Sequence, residues 1–308
     1  CLEIPSYIAD ALREAAGDRR AVVNATDLLM HPETGLRAIN SPAQLAVLEF
    51  GATFASQGVQ NMTERVEPGM TELALVEQAR LNGLPLSCHP VINSGPRAPS
   101  LASPSLRRIE EGDPILFAIG VWGGLTARAG FAVRDARGLA DANRDYVETF
   151  VKPYFAAAVD WYETIGMGVT GGQMYDLIQQ HLTDRPFSIA LNPGHLIHLD
   201  EWVHSGFAPR SKTKLLSGMA IQLDIIPVPQ EKAYFTTNVE DGIALADETL
   251  RNALAAAYPE MWGRIQARKR FMRDVLGIRL KEEVLPFSNM PGVLQPYLLS
   301  PHRALRAL

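Results

Sequence analysis

Glu111-Gly-Asp-Pro-Ile-Leu-Phe-Ala118 and Ser217-Gly-Met-Ala-Ile-Gln-Leu-Asp224 are two versions of one pattern, a glycine turn running into an apolar strand. The pairing sets a register. Ala118 stands six residues after Gly112, and Asp224 stands six residues after Gly218. Upstream, Glu67-Pro-Gly-Met-Thr-Glu72 likewise resembles Gly166-Met-Gly-Val-Thr-Gly171. Each half reads as a long helix, a Gly-led second helix and then several strands, the order expected of an internal duplication. A pseudo-two-fold relation between the halves places Ala118 and Asp224 facing each other across a central cleft.

Local signals fill in the elements. Residues 5–16 read as a short helix and Ala21–Asn24 as a strand. Ser41-Pro-Ala-Gln44 and Thr170-Gly-Gly-Gln173 are capping boxes that open long helices. Thr71-Glu72 opens a helix to about Asn82, and Asp141 caps a helical stretch that Pro153 should kink. Strands are expected at 84–93, 115–121, 130–133, 187–191, 219–228, 234–237 and 243–246. Beyond Glu248 the chain turns helical, then basic and Pro-rich. Arg268-Lys-Arg270 reads as the solvated side of a helix.

Composition narrows the class. The chain has 308 residues, 47% of them hydrophobic, enough for a sizeable core. Its net charge of −5 argues against a nucleic-acid surface. The longest nearly apolar run, 117–125, is far too short to span a bilayer. Two cysteines, Cys1 and Cys88, cannot build a disulfide framework, which favours a reducing cytoplasm.

The chemistry-bearing residues cluster in Asn192-Pro-Gly-His195-Leu-Ile-His198-Leu-Asp200-Glu201-Trp202-Val-His204. Histidine transfers protons near neutral pH and ligates metals. Asp200 or Glu201 can orient such a ring or share its proton. Asp224 and Glu240 sit in or beside apolar strands, where a carboxylate needs a partner. The His-x-x-His spacing is not that of a helical zinc motif. Neither glycine-rich piece has the dinucleotide-binding form, and no Gly-x-Ser-x-Gly occurs. Cys88 and His89 are adjacent, so on a strand they point to opposite faces.

Taken in order, several phrases resemble the creatinase, prolidase and aminopeptidase P superfamily. They are Leu36-Arg-Ala-Ile-Asn-Ser41, Glu67-Pro-Gly-Met-Thr-Glu72, Ile92-Asn-Ser-Gly95, Arg107-Arg-Ile-Glu-Glu-Gly-Asp113, Gly194-His195, Ser217-Gly-Met219 and Glu240-Asp-Gly-Ile-Ala-Leu245. The resemblance implies an α+β pita-bread fold, shared with methionine aminopeptidase, over residues 37–254. Residues 1–36 then resemble the remnant of an N-terminal creatinase-like domain and linker, with Cys1 as a cut edge, and 255–308 form a helical and Pro-rich extension. It also implies a homodimer.

Catalytic members of this superfamily hold two divalent metals with two Asp, one His and two Glu. Carried over, the His falls on His195 and the two Glu fall on Asp224 and Glu240. The first Asp falls on Ala118 and the second near Ala129, and no acidic residue lies between Asp113 and Asp135. Two histidines usual in the superfamily fall near Leu101 and Trp202. Two metals need bridging carboxylates to offset their charge. The expectation is therefore no resident dinuclear cofactor, with room for one weakly held divalent ion.

The implied function is hydrolysis of a C–N bond, amide or amidine, in a small molecule or short peptide. His195 acts as base or acid, and Asp224 and Glu240 orient water or bind a cation. His198, Asp200, Trp202 and His204 shape the pocket, and Arg128 faces a substrate carboxylate. The alternatives are a non-catalytic scaffold binding a peptide or protein, and a metal-dependent Xaa-Pro aminopeptidase.

Overall fold

Gly112 and Gly218 adopt φ of +92° and +89°, and each turns the chain into a central strand, as the repeat requires. The computed structural model describes residues 4–183, 185 and 187–308; Cys1 lies outside them. The strands are β1 (Val91–Ser94), β2 (Pro114–Val121), β3 (Gly124–Phe131), β4 (Phe187–Ile189), β5 (His195–Leu196), β6 (Ala220–Asp224), β7 (Pro227–Pro229), β8 (Asn238–Leu245) and β9 (Val284–Pro286). The main sheet is antiparallel in the order β1-β2-β3-β8-β6-β5, with β9 also on β8, and β4 pairs with β7 separately. The helices are α1 (Ser6–Ala15), α2 (Thr26–Met30), α3 (Pro42–Arg65), α4 (Glu72–Glu77), α5 (Lys152–Thr164), α6 (Gly171–Leu182), α7 (Glu248–Ala257) and α8 (Pro259–Phe271). This is the α+β pita-bread fold that the resemblance implied.

The duplication is visible bond by bond. Gly69 N–H donates to Ile109 O and Ile109 N–H to Met70 O; Gly168 N–H donates to Leu215 O and Leu215 N–H to Val169 O. Thr71 and Thr170 cap α4 and α6. In the sheet, β2 and β6 flank the central pair β3 and β8.

The two faces of the sheet differ. Ile115, Phe117 and Ile119 of β2 pack with Ala55, Val59 and Met62 of α3. Tyr154 and Tyr162 of α5 reach Val239 and Asp241 of β8 on the same side. Ile115, Phe117 and Ile119 of β2 and Val239 and Asp241 of β8 therefore face helices, and Leu116, Ala118 and Glu240 between them line the opposite, concave face, whereas Ala244 at the far end of β8 packs on α3. Close approach of α3 depends on glycine: a Cβ on Gly51 would lie 2.0 Å from the Trp122 carbonyl oxygen. Glu49 of α3, fully buried, accepts from Arg264 (3.0 and 2.7 Å) and Arg268 (2.6 Å) of α8. Arg268 is thus buried structure, not a solvated face. The tail packs on its own chain, with Leu298 and Leu299 N–H donating to Phe131 and Val133 carbonyls.

Several local expectations are corrected. Ala21–Asn24 is not a strand; Asp18 caps a 3-10 turn at Arg19–Ala21 instead. α4 ends at Glu77, and Arg80 and Asn82 are left-handed. Pro153 lies inside one continuous helical stretch, because Val151 and Lys152 keep right-handed helical geometry, and the disturbance expected there takes the form of a π-helical turn at Val147–Val151 just before it. Residues 234–237 are extended loop, and the strand is Asn238–Leu245. Among the described residues, no helix is long and apolar enough to cross a membrane.

Candidate active site

The concave face gathers its chemistry along one row of paired residues. Val91 pairs with Ala118, Ala118 with Ala127, Ala127 with Glu240, and Glu240 with Asp224. Directly paired residues of an antiparallel sheet share a face, so two methyl groups and two carboxylates stand side by side. His195 on β5 pairs with Gln222, two residues before Asp224, and so joins the acid end. One ligand atom each from His195, Asp224 and Glu240 lies within 4.8 Å of the others. All three residues are buried.

The turn before His195 is tightly held. Gly194 sits at φ +133°, its carbonyl accepts from Ser205 Oγ at 2.7 Å, and Pro193 O accepts from Trp161 Nε1 at 2.7 Å. His195 Nδ1 lies 3.1 Å from Leu196 O. A carbonyl only accepts, so Nδ1 carries a proton, and in the neutral form of the ring Nε2 presents its lone pair. Nε2 lies 3.3 Å from Glu201 Oε1 and 3.7 Å from Asp224 Oδ2, in neither case with hydrogen-bond geometry. Asp224 Oδ1 is also without a partner. Converging acceptors of this kind call for a proton or a cation between them. The cluster fits a single divalent ion, with His195, Asp224 and Glu240 as ligands.

Electrostatics point the same way. Burial pushes the Asp224 carboxyl up to about 6, with His195 opposing and Glu201 adding to the rise. Burial, reinforced by Asp224, Glu201 and Asp241, holds Glu240 well above the ordinary carboxylate range. Cys88 lies against Gly120, and its thiol is pushed up to about 11 by burial, then by Glu201 and Glu240. It is a protonated wall group with no paired His89, whose Nε2 faces Leu101 O at 2.8 Å. On the methyl side, Val91, Ala118, Leu125 and Ala127 form a small apolar cluster.

Not every expected residue arrives here. Trp202 does, its ring stacked on His195 at 4.1 Å between centroids. Glu201 reaches His195, whereas Asp200 turns away to pair with Arg37. His198 is buried beside Ala43, Val47 and Leu48 of α3, both ring nitrogens unpartnered. His204 bridges to Leu196, in the field of His31 and Asp27. Arg128 lies on the helix-covered face, 1% exposed, donating to Asp241 Oδ2 (2.8 Å) and to the Met290 and Val293 carbonyls (2.8 and 2.7 Å). It cannot face a substrate carboxylate. Ala129 is one step along β3 from the row, opposite Leu116 and Asn238; the residue in line is Ala127.

One buried acid escaped sequence reasoning as anything but a helix opener. Glu72 accepts from Ser94 N and Oγ (2.8 and 2.9 Å), Ser105 N and Oγ (2.9 and 2.7 Å) and Arg97. It ties α4 to β1 behind the site. The Thr-Glu and Asn-Ser-Gly phrases were its signal.

Comparison with known proteins agrees with this fold. Residues 48–284 match the model of metallopeptidase family M24. No curated protein matches the chain in sequence. A prolidase from Pyrococcus horikoshii superposes with a TM-score of 0.61 at 19% identity, over 79% of this chain and 70% of its own. A dipeptidase from Mycobacterium ulcerans gives 0.62 at 18%, over 95% and 69%. An X-Pro aminopeptidase from Thermotoga maritima gives 0.62 at 14%, over 94% and 71%. At such identities the likeness is one of fold, whereas the family match covers most of the chain. The chain belongs to metallopeptidase family M24.

Proposed function

We propose that the protein hydrolyses a C–N bond, amide or amidine, in a peptide-like substrate, without a two-metal centre. One observation carries the reading: the row in which Asp224 and Glu240 continue into Ala118 and Ala127. A second metal would find only methyl groups there, so the charge of an ion pair would go unmatched.

The roles follow from the protonation states. Glu240, which burial and the neighbouring Asp224, Glu201 and Asp241 hold well above the ordinary carboxylate range, is the member of the pair placed to carry a proton and serves as the acid. Asp224, near 6, is mostly ionised and accepts a hydrogen bond from water. His195 Nε2, with its free lone pair, takes the proton from that water as its oxygen adds to the substrate carbon. The C–N bond breaks as Glu240 gives its proton to the departing nitrogen. The proton on His195 then returns to Glu240, and the site ends as it began. Trp202 stacked on His195 keeps bulk water off the ring. A divalent ion held by His195, Asp224 and Glu240 would supply Lewis acidity toward the substrate carbonyl and would occupy the same lone pair.

The burial of His195 beneath Trp202 favours a second reading, a scaffold that binds a peptide without cleaving it. The X-Pro enzymes among the structural neighbours suggest a third, a metal-dependent Xaa-Pro peptidase. One experiment separates the three. X-Pro dipeptides, creatine-like amidines and cyclic amidines are offered to the metal-analysed protein, with and without added manganese, cobalt or zinc. Turnover with at most one metal per chain, lost by a hundredfold or more in His195→Ala, is expected. Turnover that requires two metals per chain, or that survives His195→Ala, overturns the reading. Tight binding without turnover selects the scaffold.

A further inference from the structure

On the helix-covered side of the sheet, away from His195, the chain forms a cavity of about 400 Å³. That volume is within the ordinary range for a small-molecule site, roughly 300–1,000 Å³. Three separate pieces of chain wall it. Glu64 comes from the last turn of α3, Phe271 and Val275 from the end of α8 and the π-helical turn after it, and Met290, Val293 and Gln295 from the tail. None of these residues belongs to the row on the concave face. The tail segment nevertheless reaches the back of that row. The Met290 and Val293 carbonyls accept from Arg128 (2.8 and 2.7 Å), and Gly292 N–H donates to Asp241 Oδ2 at 3.0 Å. Asp241 directly follows Glu240 on β8.

The wall wants donors. Gln295 is 7% exposed, and its Oε1 has no hydrogen-bond partner. A buried amide oxygen without a donor costs free energy that a ligand N–H returns. Glu64 is the one carboxylate of the wall, and no lysine or arginine is among the described residues that line it. Glu64 Oε1 accepts from Gln60 Nε2 at 2.9 Å, while Oε2 lies 3.9 Å from Arg65, too far for a hydrogen bond, so the carboxylate keeps acceptor capacity. Between the two acceptors the wall is apolar. Phe271 is 36% exposed and Val275 52%, so both hold apolar surface out in water.

We propose that this cavity is a second small-molecule site, separate from the His195 cluster, and that it takes an amphipathic primary amine. The ammonium group meets the Glu64 carboxylate and the Gln295 amide oxygen, both acceptors. An aromatic or similar apolar body covers Phe271, Val275 and the Met290 and Val293 side chains. An anion finds no cationic side chain in this wall, and a neutral alcohol leaves the carboxylate unmatched. Because Met290 and Val293 line the cavity and their carbonyls also hold Arg128, occupancy steadies the 290–293 segment against β8. The amine thus acts on the strand that carries Glu240 without touching its carboxyl.

The test is calorimetric titration of the full chain with phenethylamine and tryptamine, against 2-phenylethanol and 3-phenylpropanoate. The amines should bind at least about tenfold more tightly than the alcohol, and the carboxylate should not bind. Val275→Trp, at an exposed position in the wall, should abolish amine binding by filling the space. Glu64→Gln should bring the amines down to the level of the alcohol. Gln295→Met, of similar size, should weaken the amines several-fold yet melt no lower than the parent, because it removes an unsatisfied group. Asp224→Asn should leave amine binding unchanged, and hydrogen exchange at the Gly292 amide should slow when the amine is bound. Equal binding of amine and alcohol, absence of binding by both amines, or amine binding that survives Val275→Trp overturns the proposal. Loss of amine binding in Asp224→Asn overturns it too, since the amine then sits at the acid pair. Unchanged exchange at Gly292 overturns the link to β8.

Discussion

The two halves of the duplicated domain present the same strand positions with opposite chemistry. On the first half, Ala118 and Ala127 close a dry cluster with Val91 and Leu125. On the second, Asp224 and Glu240 occupy the equivalent places, backed by His195, and burial drives both carboxyls upward. The backbone geometry of the halves is shared down to individual hydrogen bonds. Strand pairing and Gly turns therefore build the cradle, and side chains at a handful of positions decide what it holds. A half with methyls is stable by packing. A half with carboxylates is stable only while a proton or a cation is shared among them.

The comparison breaks hardest if the first half is made to copy the second. Ala118→Asp with Ala127→Asp would bury two further carboxylates beside Glu240. Each costs several kcal/mol without a counter-ion, so in chelator the variant should be destabilised by about 5 kcal/mol or more. Added manganese or zinc should recover much of that, and metal bound per chain should rise to two. Thermal melts with and without metal, with metal analysis, decide it. A double variant that melts like the parent in chelator would show that the row is not a shared buried face.

A second contrast lies one turn away, where Thr71-Glu72 on one half corresponds to Thr170-Gly171 on the other. Glu72 is fully buried and anchors Ser94, Arg97 and Ser105. Glu72→Ala strands those donors and should cost about 3 kcal/mol. At Gly171 the problem is room: an added Cβ would lie 1.9 Å from the Gly206 carbonyl oxygen. Gly171→Ala should cost about 1–3 kcal/mol, and it should loosen the segment 206–213 without touching α4. Urea unfolding ranks the two, and hydrogen exchange should find each effect in its own half. The opposite ranking would mean that the polar anchor is dispensable.

What was legible in the sequence was local or repeated. Both capping boxes formed as read, because Ser41 and Thr170 need only a glutamine three residues on. The repeat placed Ala118 and Asp224 on one cleft because it compares the chain with itself. β8 was only half seen. Glu240 faces the cleft and Asp241 pairs with Arg128 on the helix-covered face, so charge lies on both sides and no alternation survives. Arg128 was misread for the same reason, since its partner is 113 residues away. Ala127 and not Ala129 stands in line because the β2–β3 hairpin turns on Trp122 and Gly123 alone, and loop length is what sets register. Glu201 and not Asp200 met His195 because the loop path, unlike a strand, has no period to count.

That loop supplies the smallest effect. Residues 196–204 of the second half carry His198 and His204, while the loop around Leu101 in the first half carries no histidine. Burial first, and then Arg37, lowers the His198 value below 6.5, with Asp200 opposing. Burial and His31 do the same for His204, with Asp27 opposing. For a base whose folded value is depressed, the unfolded chain binds more protons. The stability these rings permit is present above about pH 6.5 and is lost as pH falls from there toward their folded values. Asp224 works in the other direction: its value is raised from 3.8 to about 6, so ionisation is costly and acidification relieves it. The parent therefore mixes two slopes, and its melting temperature should change little between pH 7.5 and 5.5. In His198→Leu, whose new side chain meets Val47 and Leu48, one acid-sensitive term is removed, so the variant should gain on the parent as pH falls. Paired melts across that range measure the gap directly. A gap that stays constant would mean that His198 titrates in the folded protein as it does in the unfolded chain.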